Sequence, residues 1–96
     1  MRSKLSQRAK VDLRRIVHRI AMDNPRAAET WLRKIRERTR LAARSPWLGR
    51  KVPELDRDDI REAIVGNYRL VYVIRAKTVI IQTVFEGHMP LPEINS

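Results

Sequence analysis

Two apolar runs near the C-terminus constrain the fold more than any other part of this chain. The first run is Tyr68-Arg69-Leu70-Val71-Tyr72-Val73-Ile74, and the second covers residues 78–85. β-branched and aromatic residues dominate both runs, and a pleated, buried surface favours those residue types. The sequence therefore predicts two buried strands, at residues 68–75 and 78–85.

The residues between these runs indicate how the strands connect. Gly66-Asn67 suits a two-residue hairpin, because glycine accepts a positive φ at the first turn position. The turn predicts a third strand ahead of it, at residues 61–65. Ala76-Lys77, between the two apolar runs, is poor turn chemistry and leaves the register of the last hairpin open. The three strands form an antiparallel meander.

The first half of the chain has helical periodicity instead. Residues 7–22 are predicted to form a helix capped by Ser6, and residues 24–44 a second helix that begins at Asn24-Pro25. Ser45-Pro46 ends the second helix, because the residue before a proline is pushed out of the helical region. Two long helices joined by so short a turn must lie antiparallel. The apolar positions are Ala9, Leu13, Ile16, Val17 and Ile20 in the first helix, and Ala28, Trp31, Leu32, Ile35, Thr39 and Ala42 in the second.

These elements predict a single α+β domain over residues 1–96. An antiparallel helical hairpin packs on one face of a small, mainly antiparallel sheet, in the order β-α-α-β-β-β. Residues 46–59 are predicted to be an irregular surface connection. Residues 1–5 are too short and too polar for the pattern to decide whether they form the first strand.

Charge is distributed unevenly along the chain. Before Pro53 there are sixteen Lys and Arg and four acidic residues; from Pro53 onward there are five basic and seven acidic residues, so the two parts carry net charges of +12 and −2. Such a surface attracts nucleic acid or an acidic protein by its field. The chain has no cysteine and no long apolar segment, so we expect a cytoplasmic protein without disulfides, membrane insertion or Sec export.

Four short motifs carry a resemblance to a known family. They are Ala9-x-x-Asp12-Leu13, Asn24-Pro25-x-Ala27-Ala28, Pro46-x-x-Gly49-Arg50 and Tyr68-Arg69-Leu70-Val71-Tyr72. In this order the chain resembles, over residues 5–92, the RelE/ParE superfamily of small bacterial toxins from type II toxin-antitoxin modules. The resemblance implies a growth-inhibiting toxin of the plasmid-stabilising kind. It also implies a hetero-oligomer with an acidic cognate antitoxin.

The superfamily has two main branches. A ParE-like toxin binds DNA gyrase and blocks replication without catalysing a reaction, whereas a RelE-like toxin is a ribosome-dependent mRNA endonuclease. RNA-cleaving relatives usually carry a tyrosine or a His-Tyr pair near the C-terminus, and no tyrosine follows Tyr72 here. That departure, the long helical hairpin and the Asn24-Pro25-x-Ala27-Ala28 segment look more like the ParE branch. A free-standing DNA-binding module is a third interpretation, but no base-reading cluster stands out.

Arg69 is the main candidate for phosphate contact. In ribonuclease relatives the corresponding arginine contacts RNA, and Arg50 and Lys51 are candidates to flank it. A charge inside an apolar strand must otherwise be paired, so an ion pair of Arg69 with Glu62 or a loop aspartate is an equally weighted alternative. Arg50 and Lys51 have their own alternative, as solvated loop charges.

The tail after the last strand, residues 86–92, supplies the remaining candidates. In the ParE-like interpretation Glu86, His88, Met89 and Leu91 contact the target. In the RelE-like interpretation His88 is the acid and Glu86 the base of a reaction that Arg69 and Lys51 support. The acidic antitoxin is expected on the second helix, at Arg33, Arg36, Arg40 and Arg44. No metal-ligand cluster or glycine-rich phosphate loop is visible, so neither metal nor cofactor is expected.

Overall fold

The computed structural model describes residues 1–94. The elements are β1 (Arg2–Leu5), α1 (Gln7–Asp23), α2 (Pro25–Arg44), a 3-10 turn (Pro46–Leu48), β2 (Arg50–Lys51), β3 (Ile60–Val65), β4 (Tyr68–Ile74) and β5 (Thr78–Glu86). The predicted α+β class is confirmed. The domain predicted over residues 1–96 ends in Asn95 and Ser96, which lie outside the described residues.

Side-chain caps fix the helical hairpin. The Ser6 hydroxyl accepts a hydrogen bond from the backbone N–H of Ala9 at 3.0 Å and so begins α1. The Asn24 side chain accepts from the N–H of Ala27 at 3.0 Å and begins α2, while the backbone N–H of Asn24 donates to the carbonyl of Ile20 and ends α1. One residue therefore terminates one helix and starts the next, which gives the short antiparallel connection predicted from Asn24-Pro25.

The five strands form one mixed sheet in the order β1-β5-β4-β3-β2. The pairs β2–β3, β3–β4 and β4–β5 are antiparallel, whereas β1 lies parallel to β5, with Leu5 beside Ile81. Residues 1–5, which the sequence pattern left undecided, thus supply an edge strand. The strand β2, at Arg50–Lys51, falls inside the segment predicted to be irregular, so the expected six-element order gains one short strand.

The two hairpins differ in how well sequence predicted them. Gly66 has φ +59°, and Val65 pairs with Tyr68, as expected for a two-residue turn. In the second hairpin β4 ends one residue earlier than predicted, at Ile74, and the N–H of Arg75 donates to the carbonyl of Thr78 at 2.8 Å. The β4–β5 register also shifts between Val71 and Tyr72, an irregularity that no sequence signal indicated.

Both faces of the sheet are covered, but by different kinds of structure. The helices pack on one face and form the main core, which includes Ile16, Ile35, Leu70, Tyr72 and Ile81. The opposite face carries a second cluster of Val52, Ile60, Val71, Val73 and Phe85, with Leu55, Leu91 and Ile94 packed against it. The irregular segment after β2 and the C-terminal tail therefore close the face that the helices leave open. No helix within residues 1–94 is long and apolar enough to cross a membrane.

Tyr72 joins the main core to the chain that follows α2. Its hydroxyl donates to the carbonyl of Pro46 at 2.7 Å, and burial raises the pKa of the Tyr72 phenol. A Cβ on Gly49 would lie 2.1 Å from Tyr72 Oη, so only glycine allows the chain to pass this close. This contact explains Gly49 of the Pro46-x-x-Gly49-Arg50 motif as a packing requirement.

Candidate functional site

Arg69 lies on the sheet face opposite the helices, and it is paired. Its Nη1 and Nη2 donate to the two carboxylate oxygens of Glu54, each at 2.7 Å, and its Nε donates to Glu62 Oε1 at 2.7 Å. The guanidinium carbon also lies 5.0 Å from the centroid of the Phe85 ring. The pairing of Arg69 with Glu62 that the sequence left open is present. The second carboxylate comes from Glu54, not from a loop aspartate.

This pairing shifts the ionisation of its members. The Glu62 side chain is 0% exposed, so its charge depends on Arg69 and on the Nε of Arg50, which also donates to it. The hydrogen bonds from the Arg69 guanidinium lower the pKa of Glu54 from 4.5 to about 2. The hydrogen bonds that Arg69 donates to Glu54 and then to Glu62 raise the pKa of Arg69. Arg69 therefore stays charged, and its ion pairs connect β4 to β3 and to the segment that follows β2.

The other two predicted phosphate contacts, Arg50 and Lys51, also have acidic partners. Arg50 binds Glu62, as described, and Lys51 Nζ lies 2.9 Å from Asp58 Oδ1. The hydrogen bond to Asp58 raises the pKa of the Lys51 ammonium. The structure brings Arg50 and Arg69 together on one carboxylate, so these cations form an ion-pair network and not an open cationic channel.

The tail is held at both ends. Glu86, which ends β5, accepts a hydrogen bond from the Arg19 guanidinium of α1, and Arg19 also donates to the Tyr68 hydroxyl at 2.8 Å. At the other end Leu91 packs against the cluster on the outer sheet face. Between these anchors two residues are exposed. The His88 side chain is 70% exposed, and Met89 as a whole residue is 51% exposed. His88 Nδ1 lies 3.4 Å from Glu86 Oε2.

A cleft of about 420 Å³ separates the tail from α1. Arg8, Arg15 and Arg19 line it on the helix side, and Tyr68, Glu86 and Met89 line it on the sheet and tail side. These three arginines and Tyr68 are not among the site residues predicted from the sequence. Their spacing of seven and four residues places them on one flank of α1, and that periodicity was a usable signal.

The α2 arginines are on a separate surface. Arg33, Arg36, Arg40 and Arg44 are exposed, and none forms an ion pair within residues 1–94. Arg36 and Arg40 flank a groove of about 360 Å³ between α2 and β1, and Leu5, Leu13, Leu32 and Ile35 form its apolar part. The structure thus joins the predicted antitoxin surface to a groove whose cationic rim surrounds apolar side chains.

Within residues 1–94 no cluster of three or more His, Cys, Asp or Glu side chains is arranged to hold a metal ion. A family model for the "ParE toxin of type II toxin-antitoxin system, parDE" matches residues 4–90. The chain belongs to the ParE toxin family. Membership of the ParE branch, which the long helical hairpin, the Asn24-Pro25-x-Ala27-Ala28 segment and the tail without a tyrosine favoured, is thereby confirmed.

One solved structure is similar to this ParE toxin over most of its length. It is a chain of the "Chromosomal ParDE TA system from P. aeruginosa", with a TM-score of 0.72, 18% sequence identity, and coverage of 90% of this chain and 95% of that one. At that identity the likeness concerns the fold. A search of curated proteins finds no significant match.

Proposed function

We propose that this ParE-family chain is a toxin that binds DNA gyrase and blocks replication, and that it catalyses no reaction itself. The observation that supports this best is the state of Arg69. Its Nε, Nη1 and Nη2 all donate to carboxylates, so an RNA phosphate would have to displace Glu54 and Glu62 to reach it. An RNA-cleaving site needs cations that are free to stabilise the developing phosphoryl charge.

The position of His88 supports the same reading. A general acid must be held within hydrogen-bond reach of the atom that it protonates. His88 is mostly exposed on the tail and its nearest charged group is Glu86, which Arg19 already engages. The Glu86 carboxylate and the His88 imidazole lie on an exposed segment. They are therefore better suited to contact with a protein target than to proton transfer in an active site that excludes water.

The tail is well formed for such contact. Arg19 holds Glu86 at one end and the outer-face cluster holds Leu91 at the other, so the ordering cost of presenting Met89 is small. We therefore assign Met89 and His88 as target contacts, Glu86 as a contact fixed by Arg19, and Leu91 as the anchor of the segment.

A cognate antitoxin completes the proposal. The groove between α2 and β1 combines apolar side chains with Lys4, Arg36 and Arg40 and has no acidic lining residue among those described. An acidic, amphipathic antitoxin segment fits that chemistry. Arg33 and Arg44 extend the same cationic surface, and binding there stabilises a small domain by mass action.

The test compares two exposed methionines. Met89→Ala on the tail should weaken inhibition of purified gyrase on supercoiled DNA by on the order of tenfold, because a central apolar anchor carries much of a small interface. Met22→Ala, at an exposed site at the end of α1, is the matched control and should leave inhibition unchanged. His88→Ala should have a mild effect, because one rim contact contributes little.

The same variants separate the alternative function, ribosome-dependent cleavage of mRNA. Loss of a proton donor reduces the rate of a reaction by a factor of about 10² to 10⁴. If programmed ribosomes yield codon-positioned mRNA cuts that disappear with His88→Ala and with Arg69→Ala, while gyrase is unaffected by the wild-type chain, the endonuclease reading replaces this one.

A further inference from the structure

The cleft between α1 and the tail is cationic, and the function proposed above assigns no role to its arginines Arg8 and Arg15. Arg8, Arg15 and Arg19 line one wall, and Ile16, Val84 and Phe85 lie among them. Over eleven residues at a rise of about 1.5 Å per residue, the arginines span on the order of 16 Å along the helix. The cleft therefore presents a row of positive charge directly beside the target-binding tail.

The acidic groups in the cleft neutralise only part of this row. Asp12 Oδ2 accepts from the Thr83 hydroxyl at 2.6 Å and from the N–H of Val84 at 3.2 Å, and the Nε of Arg8 is 3.9 Å away. Glu86 is engaged by Arg19. Arg15 forms no ion pair within residues 1–94, so Arg15 and, at longer range, Arg8 are available to an added anion.

We propose that this cleft binds the phosphodiester backbone of double-stranded DNA, with Arg8 and Arg15 contacting phosphates. Their guanidinium groups present the planar forks that pair with phosphate oxygens, and the Tyr68 hydroxyl adds a neutral polar group at the cleft. The proposal rests in part on the proposed function, because a toxin docked through its tail on an enzyme that holds DNA would bring this cleft close to that DNA.

An acidic peptide is the competing ligand for the cleft beside the tail. The cleft and the groove beside α2 differ in the apolar area that they offer, and this difference favours DNA in the cleft. The groove beside α2 has four apolar residues between its cations, as an amphipathic peptide requires. The cleft beside the tail also has apolar residues, but Ile16, Val84 and Phe85 are buried, whereas Leu5, Leu13 and Leu32 of the groove are half-buried. The cleft therefore offers a ligand mainly charged and hydroxyl-bearing side chains, which include Arg8, Arg15, Arg19 and Tyr68. Phosphate contacts need cations and hydrogen bonds more than they need apolar area.

The experiment measures binding of a short, labelled DNA duplex to the purified chain by fluorescence anisotropy over a salt series. Arg8→Ala/Arg15→Ala removes the two available cations, and Lys10→Ala/Arg14→Ala removes the same charge from exposed positions of α1 outside the cleft. The cleft variant should weaken binding on the order of tenfold. Its plot of log K against log salt should become shallower by about two, since each phosphate contact contributes about 0.9 to the slope.

Equal weakening by the two double variants would overturn the proposal, because general charge would then explain the binding. A glutamate-rich peptide that displaces the duplex from the wild-type chain, and loses its own affinity in the cleft variant, would also overturn it in favour of a peptide site. Thermal melting checks that the variants fold. If the double variant does not fold, Arg15→Ala alone tests the same loss of duplex affinity. Because gyrase is absent from the assay, failure here leaves the proposed function intact.

Discussion

The arginines of the helical hairpin and those of the sheet half differ in what they contact. In the sheet half Arg69 binds Glu54 and Glu62, Arg57 and Arg75 both bind Asp59, and Arg61 donates to the carbonyls of Asp58 and Gly49. On α2 the four arginines of the predicted antitoxin surface have no ion pair within residues 1–94; they are Arg33, Arg36, Arg40 and Arg44. The acidic residues Glu54, Asp58 and Asp59, between β2 and β3, thus pair with cations outside the helices and leave these four α2 arginines without ion pairs.

This difference separates two uses of one residue type. A paired, buried arginine stabilises the fold mainly because its removal would strand a buried carboxylate. An unpaired, exposed arginine contributes little to stability, but it adds to the field that a partner or a nucleic acid senses. Substitutions of the sheet-half arginines should therefore change the free energy of unfolding, whereas substitutions of the α2 arginines should change association with a partner.

Arg69→Ala should cause the largest loss. It leaves the fully buried Glu62 carboxylate with only Arg50, and breaking a buried pair in this way costs about 3–5 kcal/mol. Urea denaturation of the purified chain measures the change. Arg50→Ala is the control, because the Arg50 side chain is mostly exposed and Arg69 remains on Glu62; its cost should be about 1 kcal/mol.

A second variant sharpens this prediction. Arg69→Met/Glu62→Leu removes both buried charges together, so it should be more stable than Arg69→Ala alone, as hydrophobic replacements of buried pairs generally are. If Arg69→Ala and Arg50→Ala had the same effect, burial of the Glu62 charge would not be the source of the stability.

Acid should cause the second-largest loss of stability, by weakening the contact between Arg69 and Glu54. The pKa of Glu54 is depressed from 4.5 to about 2 in the folded chain, so this carboxylate adds stability at neutral pH and loses that contribution as pH falls from about 5 to 2. The Glu54 side chain is 42% exposed, so solvent screens its charge. We therefore expect the carboxylate to contribute about 1 kcal/mol to the free energy of unfolding.

Glu54→Gln tests the acid effect. The variant should be less stable than wild type at pH 7. The difference in free energy of unfolding between the two, measured by urea denaturation at a series of pH values, should shrink as the pH approaches 2. Asp56→Asn removes a charge from the same segment at an exposed residue, and it should keep the pH dependence of the wild type. A gap between Glu54→Gln and wild type that is constant with pH would contradict the assigned ionisation.

Local pattern explains which parts of this fold could be predicted. The helices and the strands β3, β4 and β5 follow from periodicity and from the turn at Gly66, and both signals act over a few residues. The strand β1 pairs with β5 more than seventy residues later, and its three exposed polar residues carry no local signal. Closure of the outer sheet face by Leu55, Leu91 and Ile94 was missed for the same reason, since irregular segments have no period.

The candidate site was predictable to a similar degree. The physical cost of an unpaired charge pointed to Glu62 as a partner of Arg69, because both lie on predicted neighbouring strands. The second partner, Glu54, lies in a segment whose path depends on Tyr72 and Gly49, so sequence could not distinguish it from the loop aspartates. The contact of Arg19 with Glu86 joins α1 to the end of β5, and only the tertiary structure brings them together.

The α2 arginines should show the smallest change in stability and still alter binding. Arg36→Ala/Arg40→Ala removes two exposed, unpaired charges, so its unfolding free energy should stay within about 0.5 kcal/mol of wild type. Association with a cognate antitoxin, measured by stopped flow, should nevertheless slow and become less sensitive to salt, because steering depends on exposed charge at low ionic strength. Lys10→Ala/Arg14→Ala makes the same charge change outside the groove and should slow association less. An association rate that does not depend on salt in the wild-type chain would refute the role assigned to the unpaired arginines.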